Sequence, residues 1–169
     1  MNKLSVVIIA FNEEENIAKC IDSVRSVADE VIVVDSFSND KTVSIAESLG
    51  AKIMQHKFEG HIQQKNFARQ QASNDWVLSL DADEVLSKEL KQSILEAKKN
   101  FDVDGYTMNR LNFYCGKPVK TCGWYPDKKL RLWNKAKGEW TGINPHDKFE
   151  LQENSTIKHL NGDILHNTY

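Results

Sequence analysis

Apolar and polar residues follow two distinct patterns along the first hundred positions. Short runs rich in β-branched and apolar side chains predict buried parallel strands at residues 4–10, 31–34, 52–56 and 76–80. Between these runs, apolar residues recur every three or four positions and predict helices at residues 17–27, 42–49, 63–72 and after residue 87. This alternation predicts an α/β fold, in which βαβ units wind around a mostly parallel central sheet with helices on both faces.

Polar residues and glycine mark the expected helix ends. Asn12 and Glu15 have the spacing of a capping box before the first helix. Gly50 is expected to end the second helix, and Ser87 to cap the fourth. After residue 100 the helical spacing fades, aromatic residues, glycine and proline accumulate, and short strands such as residues 130–133 are expected. We predict that this stretch continues the same domain as mixed strands and loops.

Composition narrows the class of protein. A chain of 169 residues with 40% hydrophobic and 27% charged residues suits one globular domain. A formal net charge of −2 argues against a general nucleic-acid binder, which normally has a strongly basic face. A local cluster could form either a basic patch or a solvated surface with ion pairs; its members are Lys128, Lys129, Arg131, Lys135 and Lys137.

The cysteines and the hydropathy pattern suggest a cytoplasmic protein. The three cysteines have no CxxC spacing, which suits a reducing compartment better than a disulfide framework or a zinc site; they are Cys20, Cys115 and Cys122. Cys20 falls on the apolar stripe of the first helix, so we expect it in the core. We see no signal-peptide pattern and no run of 18 apolar residues.

The candidate chemistry lies at the ends of the predicted strands, because ligands of open α/β sheets bind beyond the carboxyl ends of the strands. Asp81 and Asp83 follow the fourth strand, and Asp35 follows the second. Carboxylates two positions apart after a buried strand can both approach one hard cation such as Mg²⁺ or Mn²⁺, although a solvated turn or a helix cap has the same pattern. The chain has no GxGxxG, P-loop or HExxH motif, so a metal and basic side chains would have to neutralise a bound phosphate.

Taken together, these segments resemble the family-2 glycosyltransferases, and most closely the branch of lipopolysaccharide-core β-1,4-glucosyltransferase-like proteins. Each segment is weakly diagnostic alone, whereas the combination is specific and covers nearly the whole chain. The matching segments are SVVIIAFNEE at 5–14, VVDSFSNDKT at 33–42, KN at 65–66, WVLSLDADE at 76–84, GWYPD at 123–127, LRLW at 130–133, PHD at 145–147 and ILH at 164–166.

The resemblance implies a GT-A-like fold, with residues 1–169 forming a single Rossmann-like nucleotide-sugar-binding domain with acceptor-side loops. Residues 1 to about 100 would bind the nucleotide-sugar, and residues from about 101 to 169 would form the acceptor and catalytic half. Relatives generally continue with further helices, so we expect either a truncated core or a short member of the family.

The resemblance also implies roles for individual residues at the donor site. Asp81 would contact ribose or metal, Asp83 would bind the Mg²⁺ or Mn²⁺ ion that bridges the diphosphate, and His166 resembles a late histidine that completes the metal shell. Many relatives carry two adjacent acids where this chain has Asp35 followed by Ser36. The residues expected to contact the nucleotide are Ala10, Phe11, Asn12, Glu13, Asp35 and Lys65.

Each of these assignments has a structural alternative. The residues after the first strand could serve only as strand end and helix cap. Lys65 could be an exposed helix lysine, and His166 a buried structural histidine.

An inverting transfer needs a general base that takes the proton of the acceptor hydroxyl. Asp147 occupies the place where relatives usually carry this base, often as His-Glu, whereas this chain has His146 followed by Asp147. Asp127 is the second candidate base. Loop capping is the alternative role for both aspartates.

The aromatic segment after residue 105 suggests an acceptor site. Trp124 and Tyr125 stand between glycine and proline, where a loop could present a flat surface to a sugar; the alternative is that Trp124 packs in the core. Arg131 is expected to pair with an acidic or phosphorylated acceptor through its planar guanidinium.

The expected activity is inverting, metal-dependent transfer from a UDP-sugar to a saccharide or glycolipid acceptor, in cell-surface polysaccharide or lipopolysaccharide biosynthesis. Peripheral contact with the inner face of the membrane is a further expectation. Two alternatives stay open. A nucleotidyltransferase usually has a glycine-rich, arginine-containing loop where this chain has Phe11 to Glu14. A catalytically silent nucleotide-binding module would be distinguished by a test of sugar-nucleotide turnover.

Overall fold

The computed structural model describes residues 2–121 and 123–168, and it follows the predicted alternation of strands and helices through residue 99. The helices are α1 (Ile17–Val24), α2 (Thr42–Ser48), α3 (His61–Gln71) and α4 (Lys88–Lys99). The strands are β1 (Leu4–Ala10), β2 (Glu30–Asp35), β3 (Lys52–Gln55), β4 (Trp76–Asp81), β5 (Glu84–Leu86), β6 (Gly105–Tyr114), β7 (Lys117–Val119), β8 (Lys128–Asn134), β9 (Gly138–Ile143), β10 (His146–Leu151) and β11 (Ile157–Thr168). A 3₁₀ turn, Lys135–Lys137, separates β8 from β9.

Within the described residues, one nine-stranded sheet has the order β3-β2-β1-β4-β8-β6-β11-β5, with β7 paired to β6. The four strands of the first half pair in parallel, as predicted. Strand β8 joins β4 and β6 antiparallel, and β6 and β11 pair in parallel. The hairpin β9–β10 forms a separate two-stranded sheet. The predicted α/β class is confirmed, and the second half adds mainly antiparallel pairs.

The helices cover both faces of the sheet, because successive side chains of a strand point to opposite faces. Val6 and Ile8 of β1 pack in a core with α1, α2 and α4, whereas Val7 packs in a second core with α3 and the β9–β10 hairpin. Cys20 lies in the first core, as predicted, and Cys115 is exposed. Cys122, the third cysteine of the sequence, lies outside the described residues.

The capping predictions had different outcomes. The Ser87 hydroxyl accepts a hydrogen bond from the Leu90 amide at 3.2 Å, which confirms the cap of α4. Gly50 follows α2 with a φ of +86°, as expected for a helix-ending glycine. The predicted capping box at Asn12 and Glu15 is wrong. Helix α1 begins at Ile17, and none of the described side chains caps its amino end.

The structure explains why Asn12 does not cap α1. Its φ is +50°, so the chain turns sharply directly after β1. The Asn12 side chain accepts a hydrogen bond from the Asn39 amide at 2.8 Å and thereby joins the loop after β1 to the loop after β2. A contact between two strand-end loops has displaced the local capping interaction.

The second half of the chain contains longer strands than its sequence pattern predicted. Strand β11 spans twelve residues, and its register on β6 shifts between His159 and Asp163. Gly162, at a φ of +101°, passes close to α4, where a Cβ atom would lie 2.3 Å from the Leu90 nitrogen. The shift places His166 opposite Glu84 of β5. Among the described helices, none is long and apolar enough to cross a membrane.

Candidate functional site

The loops that follow β1 and β2 are held together by hydrogen bonds at the carboxyl edge of the sheet. The Asn12 amide donates to the Ser38 hydroxyl at 2.8 Å, and the Glu13 amide donates to the Thr42 hydroxyl at 2.8 Å. The Glu14 amide donates to Asp40 at 3.2 Å. These bonds cross 26 to 29 residues of sequence and fix one wall of a cleft.

Asp35 is buried beneath this wall. Its carboxylate accepts hydrogen bonds from the Ser38 hydroxyl at 2.5 Å and from the Ser38 amide at 2.9 Å, and the Gln55 amide group lies 3.5 Å away. The structure therefore places Asp35 where it shapes the loop after β2. Among the described residues that line the cleft, Asp35 and Asn12 are absent, so any contact of theirs with a nucleotide stays a prediction.

A cavity of about 240 Å³ lies at the carboxyl ends of β1 and β4. Five residues predicted for the donor and metal sites line it: Ala10, Phe11, Glu13, Asp81 and Asp83. Phe11 and Phe58 are exposed, and Phe58 meets His61 edge to face. Flat apolar rings beside carboxylates suit a ligand with an aromatic base and charged groups.

The cavity is rich in negative charge. Burial, together with the charges of Asp83 and Asp81, raises the pKa of Glu13 above its ordinary value despite the hydrogen bond from Asn16. Asp81 Oδ1 is buried and has no hydrogen-bond partner among the described residues, although Lys65 Nζ lies 3.8 Å away. An unpaired buried carboxylate oxygen beside further acids is an arrangement that a cation would stabilise.

The turn that carries Asp81 and Asp83 is held by a buried ion pair. Glu84 is fully buried and accepts hydrogen bonds from the Asp81 amide at 2.8 Å and from Arg131 Nη1 at 2.7 Å. Arg131 also donates to the Ser79 carbonyl at 3.2 Å. Burial would raise the pKa of Glu84, but the Arg131 guanidinium outweighs this effect and lowers the pKa below its ordinary value.

The prediction that Arg131 pairs with an acceptor is therefore wrong for this structure. Arg131 is only 5% exposed, and its guanidinium is already paired with Glu84. The planar guanidinium does bind a carboxylate through two nitrogens, as predicted, but that carboxylate is Glu84 of the same chain and not part of an acceptor. Arg131 thus connects β8 to the acidic turn after β4.

His166 lies beside Asp83, although 83 residues separate them in sequence. His166 Nε2 is 3.0 Å from Asp83 Oδ2, and Nδ1 is 2.8 Å from Asn112 Oδ1. The contact with Asp83 raises the pKa of His166, against the opposing effect of burial. A hydrogen bond from Nδ1–H to Asn112 would fix the orientation of the ring, as the outer partner of a metal-binding histidine does.

These side chains fit part of a shell for Mg²⁺ or Mn²⁺. In the part of the chain that the structure describes, no three His, Cys, Asp or Glu side chains converge on one point. Carboxylate oxygens of Asp81 and Asp83 have the chemistry that these ions prefer, and magnesium sites commonly use one or two carboxylates together with substrate phosphates. The unpaired Asp81 oxygen is the observation that supports the fit.

A second cavity, of about 530 Å³, adjoins the first, and His61 and Asp81 line both. Lys65 and Asp147 meet inside it, with Lys65 Nζ 2.6 Å from Asp147 Oδ2. Burial would raise the pKa of Asp147, but the hydrogen bond and charge of Lys65 lower it below its ordinary value. Lys65 is therefore neither exposed nor free, and it stands between two carboxylates.

The β9–β10 hairpin carries Asp147 to this position by docking on α3. The Asn66 side chain forms two hydrogen bonds with the Trp140 backbone, at 2.9 and 3.0 Å. Asn144 accepts a bond from the Ile62 amide at 2.9 Å. Lys65 Nζ also lies 4.4 Å from the centre of the Trp140 ring. The Lys-Asn pair in α3 thus joins the two halves of the chain at the cavity.

Asp127, the second candidate base, lies between two cations. Its carboxylate oxygens are 3.3 Å from Arg110 Nη2 and 3.3 Å from Lys129 Nζ. Among the described residues, those that line the second cavity include both cations but not Asp127. Asp147 rather than Asp127 therefore lines the same cavity as Asp81.

The predicted basic cluster divides into separate contacts. Lys129 pairs with Asp127, Arg131 is buried against Glu84, and Lys135 Nζ donates to the Ala72 carbonyl at 2.6 Å. The alternative of a surface with ion pairs describes these residues better than a basic patch does.

Trp124 is 47% exposed, so the alternative that it packs in the core is wrong. The neighbouring Tyr125 is held by a hydrogen bond from its hydroxyl to Asp163 at 2.9 Å. A fixed tyrosine beside an exposed tryptophan leaves the acceptor-platform prediction open.

We predict that Trp124→Ala leaves the melting temperature nearly unchanged and raises the KM for the sugar acceptor. A core tryptophan would instead cost about 3–5 kcal/mol on truncation to alanine. Thermal unfolding and acceptor kinetics measured on the same preparation separate these outcomes, and Tyr114→Ala, another exposed aromatic residue, is the control. A large drop in melting temperature with normal acceptor kinetics would reject the platform.

Several site residues were not singled out from the sequence. Gln64 is buried in the floor of the first cavity and donates to the Ser36 hydroxyl at 3.0 Å. Arg110 and His61 line the second cavity. Glu84 had a signal, since it directly follows the DxD motif, but only its contact with Arg131 shows what it does.

The chain matches known proteins over most of its length. The model of the family described as Glycosyl transferase family 2 matches residues 5–155. An uncharacterised glycosyltransferase of Rickettsia typhi is 43% identical over 138 residues, which are 80% of this chain and 47% of that protein. The lipopolysaccharide core biosynthesis glycosyltransferase LpsC of Rhizobium meliloti is 30% identical over 174 residues, covering 96% of this chain and 62% of LpsC. The chain thus spans less than two thirds of these curated relatives.

Solved structures share the fold. TarS of S. aureus superposes with a TM-score of 0.60 at 24% identity, over 79% of this chain and 47% of TarS. Glucosyl-3-phosphoglycerate synthase from Mycobacterium tuberculosis, crystallised with Mn²⁺, UDP and glucosyl-3-phosphoglycerate, superposes with a TM-score of 0.53 at 25% identity, over 68% of this chain and 45% of that one. These neighbours confirm the predicted GT-A-like fold.

Proposed function

The chain belongs to glycosyl transferase family 2, and from that premise we propose that it transfers a sugar from a UDP-sugar to a saccharide or glycolipid acceptor, with inversion at the anomeric carbon. The observation that carries the proposal is the meeting of two cavities at Asp81 and His61. The first cavity suits a nucleotide diphosphate beside acidic residues, and the second suits an acceptor beside Asp147. A sugar at their junction would lie between donor phosphates and acceptor hydroxyl.

On the donor side, Phe11 and Ala10 would contact the nucleobase and ribose, with Asn12 and Asp35 holding the surrounding loops. The mycobacterial neighbour, which was crystallised with UDP and with UDP-glucose, supports a uridine nucleotide. TarS was crystallised with UDP-GlcNAc, and its likeness to this chain shows the fold alone. Which sugar this chain transfers is set by pocket details beyond the strand-end motifs.

Asp83, Asp81 and His166 would hold Mg²⁺ or Mn²⁺. When bound, such an ion stabilises the negative charge that develops on the departing diphosphate. The mycobacterial neighbour was crystallised with Mn²⁺, which supports a divalent ion here. The chain's own contribution is to aim the carboxylates, because Glu84 bonds the Asp81 amide at 2.8 Å and Asn112 orients His166 at 2.8 Å.

Asp147 would accept the proton of the attacking hydroxyl. Its contact with Lys65 keeps the carboxylate ionised at neutral pH, which a proton acceptor requires. The same contact weakens its basicity. Lys65 also lies 3.8 Å from Asp81, near the expected diphosphate.

The similarity to LpsC supports a role in lipopolysaccharide core or other cell-surface polysaccharide biosynthesis. In that setting the protein would act in the cytoplasm, with peripheral contact at the inner face of the membrane. We also propose that residues 1–169 work as one domain, since Lys65 of the first half and Asp147 of the second form a single contact.

We predict that Asp83→Ala abolishes the metal-dependent part of UDP binding, and that Asp81→Ala weakens it. Calorimetric titration of UDP with and without Mn²⁺ measures this difference. Asp22→Ala, which removes an exposed aspartate of α1 with the same change in net charge, is the matched control. An unchanged Mn²⁺-dependent UDP affinity in Asp83→Ala would show that Asp83 does not bind the metal.

A further inference from the structure

We propose that the acceptor carries an anionic group, a phosphate or a carboxylate on a saccharide, and that Arg110 and Lys129 receive it in the second cavity. This inference rests on the proposed function, because it treats that cavity as the acceptor site. It concerns the chemistry of the acceptor and is independent of which sugar is transferred.

Positive charge exceeds negative charge in the lining of the second cavity. Its lining includes five basic side chains and only two acidic ones; the basic residues are Lys65, Arg110, Lys129, Arg131 and Lys148, and the acidic ones are Asp81 and Asp147. Asp147 forms an ion pair with Lys65 at 2.6 Å, and Arg131 forms one with Glu84 at 2.7 Å. Three cations then remain, with Asp81 and the nearby Asp127 as the opposing charges.

Arg110 and Lys129 form only long ion pairs with the surrounding carboxylates. Arg110 Nη2 lies 3.3 Å from Asp127 and Nη1 lies 3.8 Å from Glu84, both longer than the roughly 2.7–2.9 Å of a strong charge-assisted bond. Lys129 shares the same Asp127 carboxylate at 3.3 Å. Arg110 Nε is buried and has no hydrogen-bond partner among the residues that the structure describes.

These contacts favour an anionic ligand over a neutral one. Leaving a buried guanidinium N–H unpaired costs free energy, which a ligand acceptor atom would recover. A sugar hydroxyl could accept that bond, but Arg110 and Lys129 would still share the Asp127 carboxylate, and the Glu84 carboxylate near Arg110 is already bonded to Arg131. A phosphate or carboxylate satisfies both the N–H and the charge, and the planar guanidinium matches its geometry.

The test is an NMR titration of the protein loaded with UDP and Mg²⁺, so that the donor site is filled. The probes are glucose 6-phosphate, glucuronic acid, glucose and inorganic phosphate. We expect the two anionic sugars to bind more tightly than glucose and inorganic phosphate, with affinity that falls as salt rises.

Four variants test which residues bind the anionic group. Arg110→Gln and Lys129→Gln should each weaken binding of the anionic sugars by about tenfold or more, as loss of a charged hydrogen bond predicts. Asp127→Asn, which frees both cations, should strengthen it. Lys99→Gln, which removes an exposed cation from α4 on the other face of the sheet, should change nothing.

Four outcomes would overturn the inference: absence of saturable binding by either anionic sugar, equal binding of glucose, equal binding of inorganic phosphate alone, or weakening by Lys99→Gln as large as that by Arg110→Gln. Failure of the proposed function has a different signature. If UDP does not bind while the anionic sugars bind through Arg110, the donor site is wrong and the anionic cavity stands. If UDP binds and the anionic sugars do not, the donor site stands and the anionic acceptor cavity is wrong.

Discussion

Asp147→Asn is expected to lower the rate of sugar transfer by about 10²–10⁴ while UDP affinity stays nearly unchanged. Asparagine keeps the size of the side chain and an oxygen that can accept a bond from Lys65, which lies 2.6 Å from Asp147. It cannot take up the proton of the acceptor hydroxyl. Turnover with a UDP-sugar and an acceptor, together with calorimetric UDP binding, measures both halves of this expectation.

Asp127→Asn is the matched control for the base. Asp127 contacts Arg110 and Lys129, so its loss should change the charge balance of the acceptor cavity without removing the proton acceptor. If Asp127→Asn abolishes transfer and Asp147→Asn does not, our assignment of the base is wrong.

Arg131→Met is expected to destabilise the protein by about 3–5 kcal/mol, because it removes the bidentate partner of the buried Glu84 carboxylate and leaves Arg110, 3.8 Å away, as a weaker one. Glu84 is fully buried and Arg131 is its closest cation, at 2.7 Å. Denaturant unfolding measures the free energy of unfolding. The double variant Glu84→Gln with Arg131→Met removes both charges and should recover part of the loss.

Lys98→Met provides the comparison for this buried pair. Lys98 is also buried, but its partner Asp29, 2.7 Å away, is partly exposed and can be hydrated when the lysine is lost. We therefore expect a smaller loss for Lys98→Met. If Arg131→Met costs no more than Lys98→Met, the buried pair does not hold the acidic turn as described.

The parallel half of the fold could be predicted because its signals are local. Strand β1 is apolar at nearly every position, since both of its faces are covered, and the structure gives it the predicted bounds, Leu4–Ala10. Ser87 caps α4 through a bond within one turn, which a single sequence can reveal. Asn12 offered an equally good local pattern but contacts Asn39 instead, and that contact depends on the tertiary fold.

The long strands of the second half could not be recognised in the same way. The twelve residues of β11 pair with β6 and β5, and their register on β6 shifts between His159 and Asp163, where Gly162 passes close to α4. Neither the partners nor the shift leaves an alternating pattern in the sequence. Pairing across the sheet, rather than local preference, determines these elements.

The candidate site shows the same division. Because ligands bind beyond the carboxyl ends of parallel strands, Phe11, Glu13 and Asp83 were expected to lie together, and they line one cavity. The pairing of Lys65 with Asp147 joins residues 82 positions apart, and that of Glu84 with Arg131 joins residues 47 positions apart. Arg131 was therefore mistaken for an acceptor contact, because the sequence does not show which charges are satisfied internally.

The proposed function requires UDP and a divalent ion to bind at the carboxyl edge of β1 and β4. Paramagnetic broadening of amide NMR signals by Mn²⁺ in the presence of UDP tests this binding site, with Mg²⁺ as the diamagnetic control. We predict that signals of Phe11, Ala82 and His166 broaden first, and that those of Lys3 and Asp29, at the opposite ends of the strands, broaden last. Early broadening at Lys3 and Asp29, or no difference between the two edges, would show that the ion and UDP do not bind at the carboxyl edge.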